Sequence, residues 1–168
     1  VEYALSESGL SVRTTATNIG SDACPFGSGQ HPYLTLGTPS VDTLFLSAPG
    51  GTVLSEDERG IPRGREPVDG TPYDFRSPRE IGATTLDDAF TDLVRGTDGR
   101  ARVELRDPTS RAGHSLWVDE SYRYLQLFTG DPLPDVSRRS IAVEPMTCPP
   151  NAFRSGEDLV RLEPGESF

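Results

Sequence analysis

Tyr122-Arg123-Tyr124-Leu125-Gln126-Leu127-Phe128-Thr129 decides the fold class. Tyr124, Gln126 and Phe128 recur at every second position, the spacing of a β-strand, whose successive side chains point to opposite faces. Downstream, Ile141-Ala142-Val143-Glu144 is a short apolar strand ending on a carboxylate. Upstream, residues 115–119 set out Leu116 and Val118. Residues 101–107 place Val103 and Leu105 inward, with Arg102, Glu104 and Arg106 outward. Residues 43–48 present Leu44 and Leu46 on one face before the Gly50-Gly51 turn, and residues 10–17 alternate until Asn18-Ile19-Gly20.

No window sustains a helical period, and 15 prolines and 17 glycines interrupt most candidates. Turn dipeptides Asp69-Gly70, Asp98-Gly99 and Pro164-Gly165 punctuate the strands. Residues 55–80 are the exception. Rich in Glu, Arg, Pro and Gly and without a period, they are expected to form a long surface excursion. Short strands joined by turns predict one all-β domain over residues 1–168, a sandwich of antiparallel sheets. Val1-Glu2-Tyr3-Ala4-Leu5 already alternates, and residues 162–168 stop where a strand is about to begin. The chain is therefore expected to be a fragment of a longer protein.

The 168 residues suffice for a real core. The formal net charge is -10, and all 16 basic residues are arginines. Such a surface repels nucleic acid and anionic membrane, and a neutral substrate fits it better than a polyanion. No stretch has the apolar length to span a bilayer and no signal-peptide pattern opens the chain, so the cytoplasm is the expected location. Cys24 and Cys148 are expected as reduced thiols, with a single bridge between them as the alternative.

Two histidines invite separate weighing. His31 lies in Gly29-Gln30-His31-Pro32-Tyr33-Leu34, where the following proline forces an extended backbone. Gly27 and Gly29 permit close approach to another surface. An imidazole, with an ordinary pKa of about 6.5, suits a general acid near neutral pH; the competing role is a hydrogen bond at a turn. His114, after Arg111-Ala112-Gly113, is expected as a solvated side chain. Glu144 is either a desolvated base facing inward or a strand-end carboxylate pointing at water. Gln126 can hydrogen-bond a hydroxyl beside a stacking surface or satisfy nearby backbone. Asp87 and Asp88 can bind metal, accept from sugar hydroxyls or cap a turn. Cys24, His31, His114 and Cys148 lack metal-ligand spacing, so no metal or other cofactor is expected. Walker, dinucleotide and nucleophile-elbow motifs are absent.

Taken in order, these segments resemble the aldose 1-epimerase (galactose mutarotase-like) family. Residues 10–20 are similar to its strand with a closing Asn-x-Gly, and Gly29-Gln30-His31-Pro32-Tyr33-Leu34 to its His-Pro-Tyr-Phe motif, with Leu34 in the last place. Leu86-Asp87-Asp88-Ala89-Phe90 resembles its Asp-x-x-Phe segment. Gln126-Leu127-Phe128-Thr129-Gly130-Asp131 resembles its Gln-x-Tyr-Thr-Gly-Asn stretch. Glu144-Pro145-Met146-Thr147, Pro150-Asn151-Ala152-Phe153 and Leu162-Glu163-Pro164-Gly165-Glu166 resemble its C-terminal signature.

The resemblance implies a large antiparallel β-sandwich, the galactose mutarotase-like supersandwich, incomplete at the N-terminus and without cofactor or metal. It implies His31 as general acid, Glu144 as general base, and Asp87 and Gln126 as contacts to sugar hydroxyls. Phe128 replaces a frequent Tyr, keeping a stacking surface without the hydroxyl. The implied partners are an aldohexose, galactose or glucose, and the missing N-terminal part of the same protein, which in the family adds an Arg and a His to the sugar site. Two alternatives stand beside this. One is a hexose-6-phosphate 1-epimerase, for which Arg76, Arg79 and Arg123 would supply the cations. The other is a carbohydrate-binding sandwich without turnover.

Overall fold

In the computed structural model, which describes residues 1–168, the chain is built almost wholly of strands. They run β1 (Glu2–Ser6), β2 (Gly9–Arg13), β3 (Cys24–Phe26), β4 (Tyr33–Leu34), β5 (Phe45–Ser47), β6 (Thr52–Glu56), β7 (Pro62–Pro67) and β8 (Arg79–Glu80). There follow β9 (Asp87–Thr91), β10 (Ala101–Arg106), β11 (Gly113–Val118), β12 (Tyr124–Phe128), β13 (Ile141–Met146), a helical turn α1 (Ala152–Ser155) and β14 (Val160–Leu162).

All pairings are antiparallel. Six strands form one sheet in the order β4-β13-β12-β9-β6-β7, and four form a second in the order β11-β10-β5-β8. Between them lies the main core. Leu125 and Leu127 from β12 and Ile141 and Val143 from β13 meet Leu46, Val103 and Leu105 of the opposing sheet. The alternation at residues 122–129 thus has its physical cause: odd positions leave water, even positions face away from the core. On that other face a smaller cluster joins Leu54, Ala89 and Tyr124. Two further two-stranded sheets, β1-β2 and β14-β3, stand apart.

Residues 55–80 are not the irregular excursion their composition suggests. β6 and β7 make an antiparallel pair from Thr52↔Pro67 to Glu56↔Pro62, with a register shift at Ser55/Glu56. β7 is an edge strand, where proline and charge are tolerated because one side needs no donors. Farther on, Val68 and Phe75 are buried in the main core. Residues 10–17 also behave differently from expectation. β2 ends at Arg13, and beyond it Ala16 exchanges backbone hydrogen bonds with Phe168 (3.0 and 2.9 Å). Cys24 and Cys148 are both free thiols. No helix is long and apolar enough to cross a membrane.

Candidate active site

The site lies on the face of the six-stranded sheet away from the main core. β4 pairs with β13 only at Ile141 and Ala142. Past Ala142 the exposed edge of β13 is taken up by the segment that precedes β4. Val143 donates its N–H to the Pro32 carbonyl (3.1 Å), and Gln30 donates to the Pro145 carbonyl (3.1 Å). These two bonds bracket His31. They hold its imidazole against the strand so that Nε2 lies 3.1 Å from Oε1 of Glu144. Pro145 has no N–H to return to the Gln30 carbonyl, so this step of the ladder is closed from one side only, by the Gln30 N–H.

The glycines before His31 have distinct reasons. A side chain at Gly27 would come within 2.8 Å of the Cys148 sulfur, so close packing demands glycine there, whereas Gly29 has ordinary room. Thr147 locks the approach: its N–H reaches the Ser28 carbonyl and its hydroxyl accepts from Ser28 N–H, both at 2.9 Å.

Glu144 is drawn in, with its side chain 17% exposed, while His31 is half-exposed at 51%. Burial pushes the Glu144 carboxyl above its ordinary 4.5; His31 opposes the shift and the negative charge of Asp87 adds to it. The inward carboxylate, not the solvated strand end, is what the structure contains. Gln126 stands directly opposite Glu144 on β12. Its amide donates to Asp87 Oδ1 at 2.9 Å. Phe128 lies on the same face, opposite Asp87 and Ala142. All five residues singled out in the sequence are therefore brought onto one sheet face.

Other side chains resolve differently. Asp88 accepts from the Asp87 backbone N–H (3.1 Å), the local role open to an Asp pair. His114 lies in β11, exposed, with Nε2 3.1 Å from the Thr35 carbonyl. Arg76 is bound to Asp69 and Asp74 (both 2.7 Å). Arg79 stacks 3.9 Å from the Phe75 ring, and Arg123 pairs with Asp158. All three arginines thus have partners within the chain.

The model of the aldose 1-epimerase family matches residues 1–168. The chain belongs to the aldose 1-epimerase family. Among relatives of this epimerase-family chain, the uncharacterized protein YihR of Escherichia coli K12 is 36% identical over 167 residues, which is 99% of this chain and 51% of YihR. A galactose 1-epimerase from Lactobacillus acidophilus has the same fold at TM-score 0.68 and 25% identity, over 89% of this chain and 48% of its own. A galactose mutarotase-like protein from Clostridium acetobutylicum superposes at TM-score 0.80 with 19% identity, over 99% and 52%. The chain thus spans about half the length of the relatives it matches.

Two tyrosines given no role by the sequence motifs also take part in this family member's site region. Tyr33 packs on His31 with ring centroids 4.9 Å apart. Tyr124, fully buried, donates from its hydroxyl to Asp158 (2.8 Å) and accepts from Arg65 (3.0 Å), tying the segment after α1 to the sheet. An open depression of about 480 Å³ is walled in part by Gly29, Met146, Cys148 and Phe153, farther along the two segments that carry His31 and Glu144, and neither of those two residues lines it.

Proposed function

We propose that this chain carries the acid–base pair of an aldose 1-epimerase that interconverts the α and β anomers of a neutral hexose. The observation that carries this is the 3.1 Å contact between His31 Nε2 and Glu144 Oε1 at a desolvated carboxylate. The anomeric hydroxyl and the ring oxygen are bonded to the same carbon, so an acid and a base set this close can address both.

Glu144 removes the proton of the anomeric hydroxyl as protonated His31 delivers one to the ring oxygen. The bond between the anomeric carbon and the ring oxygen breaks, and the aldehyde forms. Rotation about C1–C2 turns the other face of the carbonyl to the ring hydroxyl. Reclosure with roles exchanged returns both protons and yields the other anomer. Gln126 and Asp87 hold ring hydroxyls, and Phe128 offers an apolar platform. The paired state of Arg76, Arg79 and Arg123 favours a neutral aldose over a phosphorylated one. Two free thiols suit a reducing compartment such as the cytoplasm. The rest of a family-length protein completes the cleft.

Polarimetry of freshly dissolved α-glucose and α-galactose tests this. The full-length protein that contains this chain speeds anomer exchange, and Glu144→Gln abolishes the effect while leaving the melting curve in place. Exchange undiminished in that variant refutes the assignment. Calorimetric sugar binding with exchange no faster than buffer identifies a carbohydrate-binding sandwich instead. Faster exchange with glucose 6-phosphate than with glucose overturns the neutral substrate.

A further inference from the structure

Residues 81–86 leave β8 of the four-stranded sheet and enter β9 of the six-stranded one, so the crossing falls outside both ladders. Ile81 and Leu86 anchor it in the main core. Between those anchors it is held by the connection from β12 to β13. Arg138 donates to the carbonyls of Gly82 (2.7 Å) and Thr84 (3.2 Å). Thr129, fully buried, donates its N–H to the Leu86 carbonyl, and its hydroxyl accepts from the Leu86 N–H, both at 2.9 Å. Asp131 ties these groups together. Its Oδ1 accepts from the Thr85 hydroxyl (3.1 Å) and from Arg138 Nη1 (2.8 Å), and its Oδ2 accepts from the Thr129 hydroxyl. The residue that follows this clasp is Asp87.

Asp87 is exposed, and the one side-chain hydrogen bond to its carboxylate is that of Gln126. A carboxylate with a single amide partner takes its position from the backbone that carries it. Asp131 is of the opposite kind, since both its oxygens are spent inside the chain. Burial works to raise its carboxyl above the ordinary 3.8, but the hydrogen bonds from Thr129, Arg138 and Thr85 outweigh this and hold it below that value. It is therefore a carboxylate at neutral pH. An amide in its place, as in the Thr-Gly-Asn wording that Thr129-Gly130-Asp131 resembles, would offer one acceptor oxygen instead of two. We propose that Asp131 is a positioning residue for sugar binding: by clasping Thr85, Thr129 and Arg138 it fixes the backbone that sets Asp87 beside Gln126. Asp131 does not touch the sugar and acts through Asp87 alone. The proposal rests on the reading of Asp87 as a contact to a sugar hydroxyl.

The full-length protein that contains this chain carries the test. Asp131→Ala should weaken galactose binding in calorimetric titration by about tenfold, the scale of one charge-assisted hydrogen bond, and raise KM with kcat held within about twofold. Thr85→Val removes only an exposed hydroxyl bond and should weaken binding by about threefold without moving the melting curve. Thr85→Ser should restore it. Asp131→Asn, which keeps one acceptor oxygen, should fall between Asp131→Ala and the unmodified protein. In an Asp87→Ala background these losses should vanish, because nothing is left to position. Losses that persist there, affinity unchanged by both Thr85→Val and Asp131→Ala, or a fall in kcat at constant KM each overturn the proposal. The epimerase reading fails separately: galactose binding that responds as expected, with exchange no faster than buffer, keeps Asp131 as a positioning residue and sinks turnover. Asp87→Ala with undiminished affinity removes Asp87 from the sugar site and overturns the contact and its positioning together.

Discussion

Gln126 and Glu144 stand directly opposite each other on β12 and β13, and the Gln126 amide is spent on Asp87 on the strand beyond. Three adjacent strands thereby present base, amide and second carboxylate side by side. The amide group orients Asp87 without neutralising it. A positive partner in its place would have drawn Asp87 into an ion pair.

Gln126→Ala should therefore act on the sugar and hardly on the fold. The bond it removes is exposed, so stability should change by no more than about 0.5 kcal/mol. Losing an oriented acceptor and one hydrogen bond should weaken sugar binding by about tenfold, equivalent to roughly 1.4 kcal/mol. Calorimetric titration with galactose, beside a urea melt, separates the two. A large loss of stability with unchanged binding would show that Gln126 serves the sheet.

The carboxyl of Glu144 should shape the pH profile. Burial raises its pKa above 4.5, with Asp87 adding to the shift and His31 opposing it. A base must be deprotonated, so kcat/KM should rise with pH through a limb centred above 4.5. The stability effect has the opposite sense. In the interval just above 4.5 the folded state holds this proton more firmly than the unfolded state, so Glu144 lowers stability as pH rises through it. Asp87→Asn removes a negative neighbour and should shift the acid limb toward lower pH. A limb unmoved by that change contradicts the Coulombic link.

Arg138 is the support most consequential for the site's register. It donates to Asp42 (2.6 Å), Asp131 (2.8 Å) and the carbonyls of Thr84 (3.2 Å) and Gly82 (2.7 Å), from a backbone at φ 55. Its side chain is largely buried. The segment so pinned joins β12 to β13, and hence sets Gln126 against Glu144. Arg138→Met leaves two carboxylates and two carbonyls without their donor, which should cost about 3 kcal/mol in a urea melt. Arg138→Lys should recover only part of that, since an ammonium cannot reproduce the planar fork.

Alternation made β10, β11, β12 and β13 legible, because each has one face on water or a cleft and the other in the core. β7 was hidden because an edge strand tolerates Pro62, Pro67 and a run of charge that read as a loop. Glu144 and His31 were each ambiguous by local residues, and only the order of the family motifs favoured a pair. The backbone bonds from Val143 and Gln30 that bracket His31 join residues more than a hundred positions apart, which no local pattern encodes. Tyr124 likewise gains its contacts to Arg65 and Asp158 through residues far apart in the chain, whereas Tyr33 packs on His31 within the His-Pro-Tyr stretch itself.

Leu127 and Phe128 are neighbours in sequence with opposite duties, and that contrast tests the face assignment on which the site depends. Leu127 is buried in the main core, whereas Phe128 lies on the site face across from Asp87. Leu127→Ala should destabilise the chain by about 2–5 kcal/mol through lost transfer energy and the cavity left behind. Phe128→Ala should cost far less in a urea melt but reduce sugar affinity, because it removes the stacking surface and no core contact. Phe128→Tyr should keep both. A one-residue slip of β12 would exchange the two phenotypes, moving Gln126 into the core and Leu127 beside Glu144. If Phe128→Ala proves the more destabilising of the pair, the register of β12, and with it the line from Asp87 through Gln126 to Glu144, is wrong.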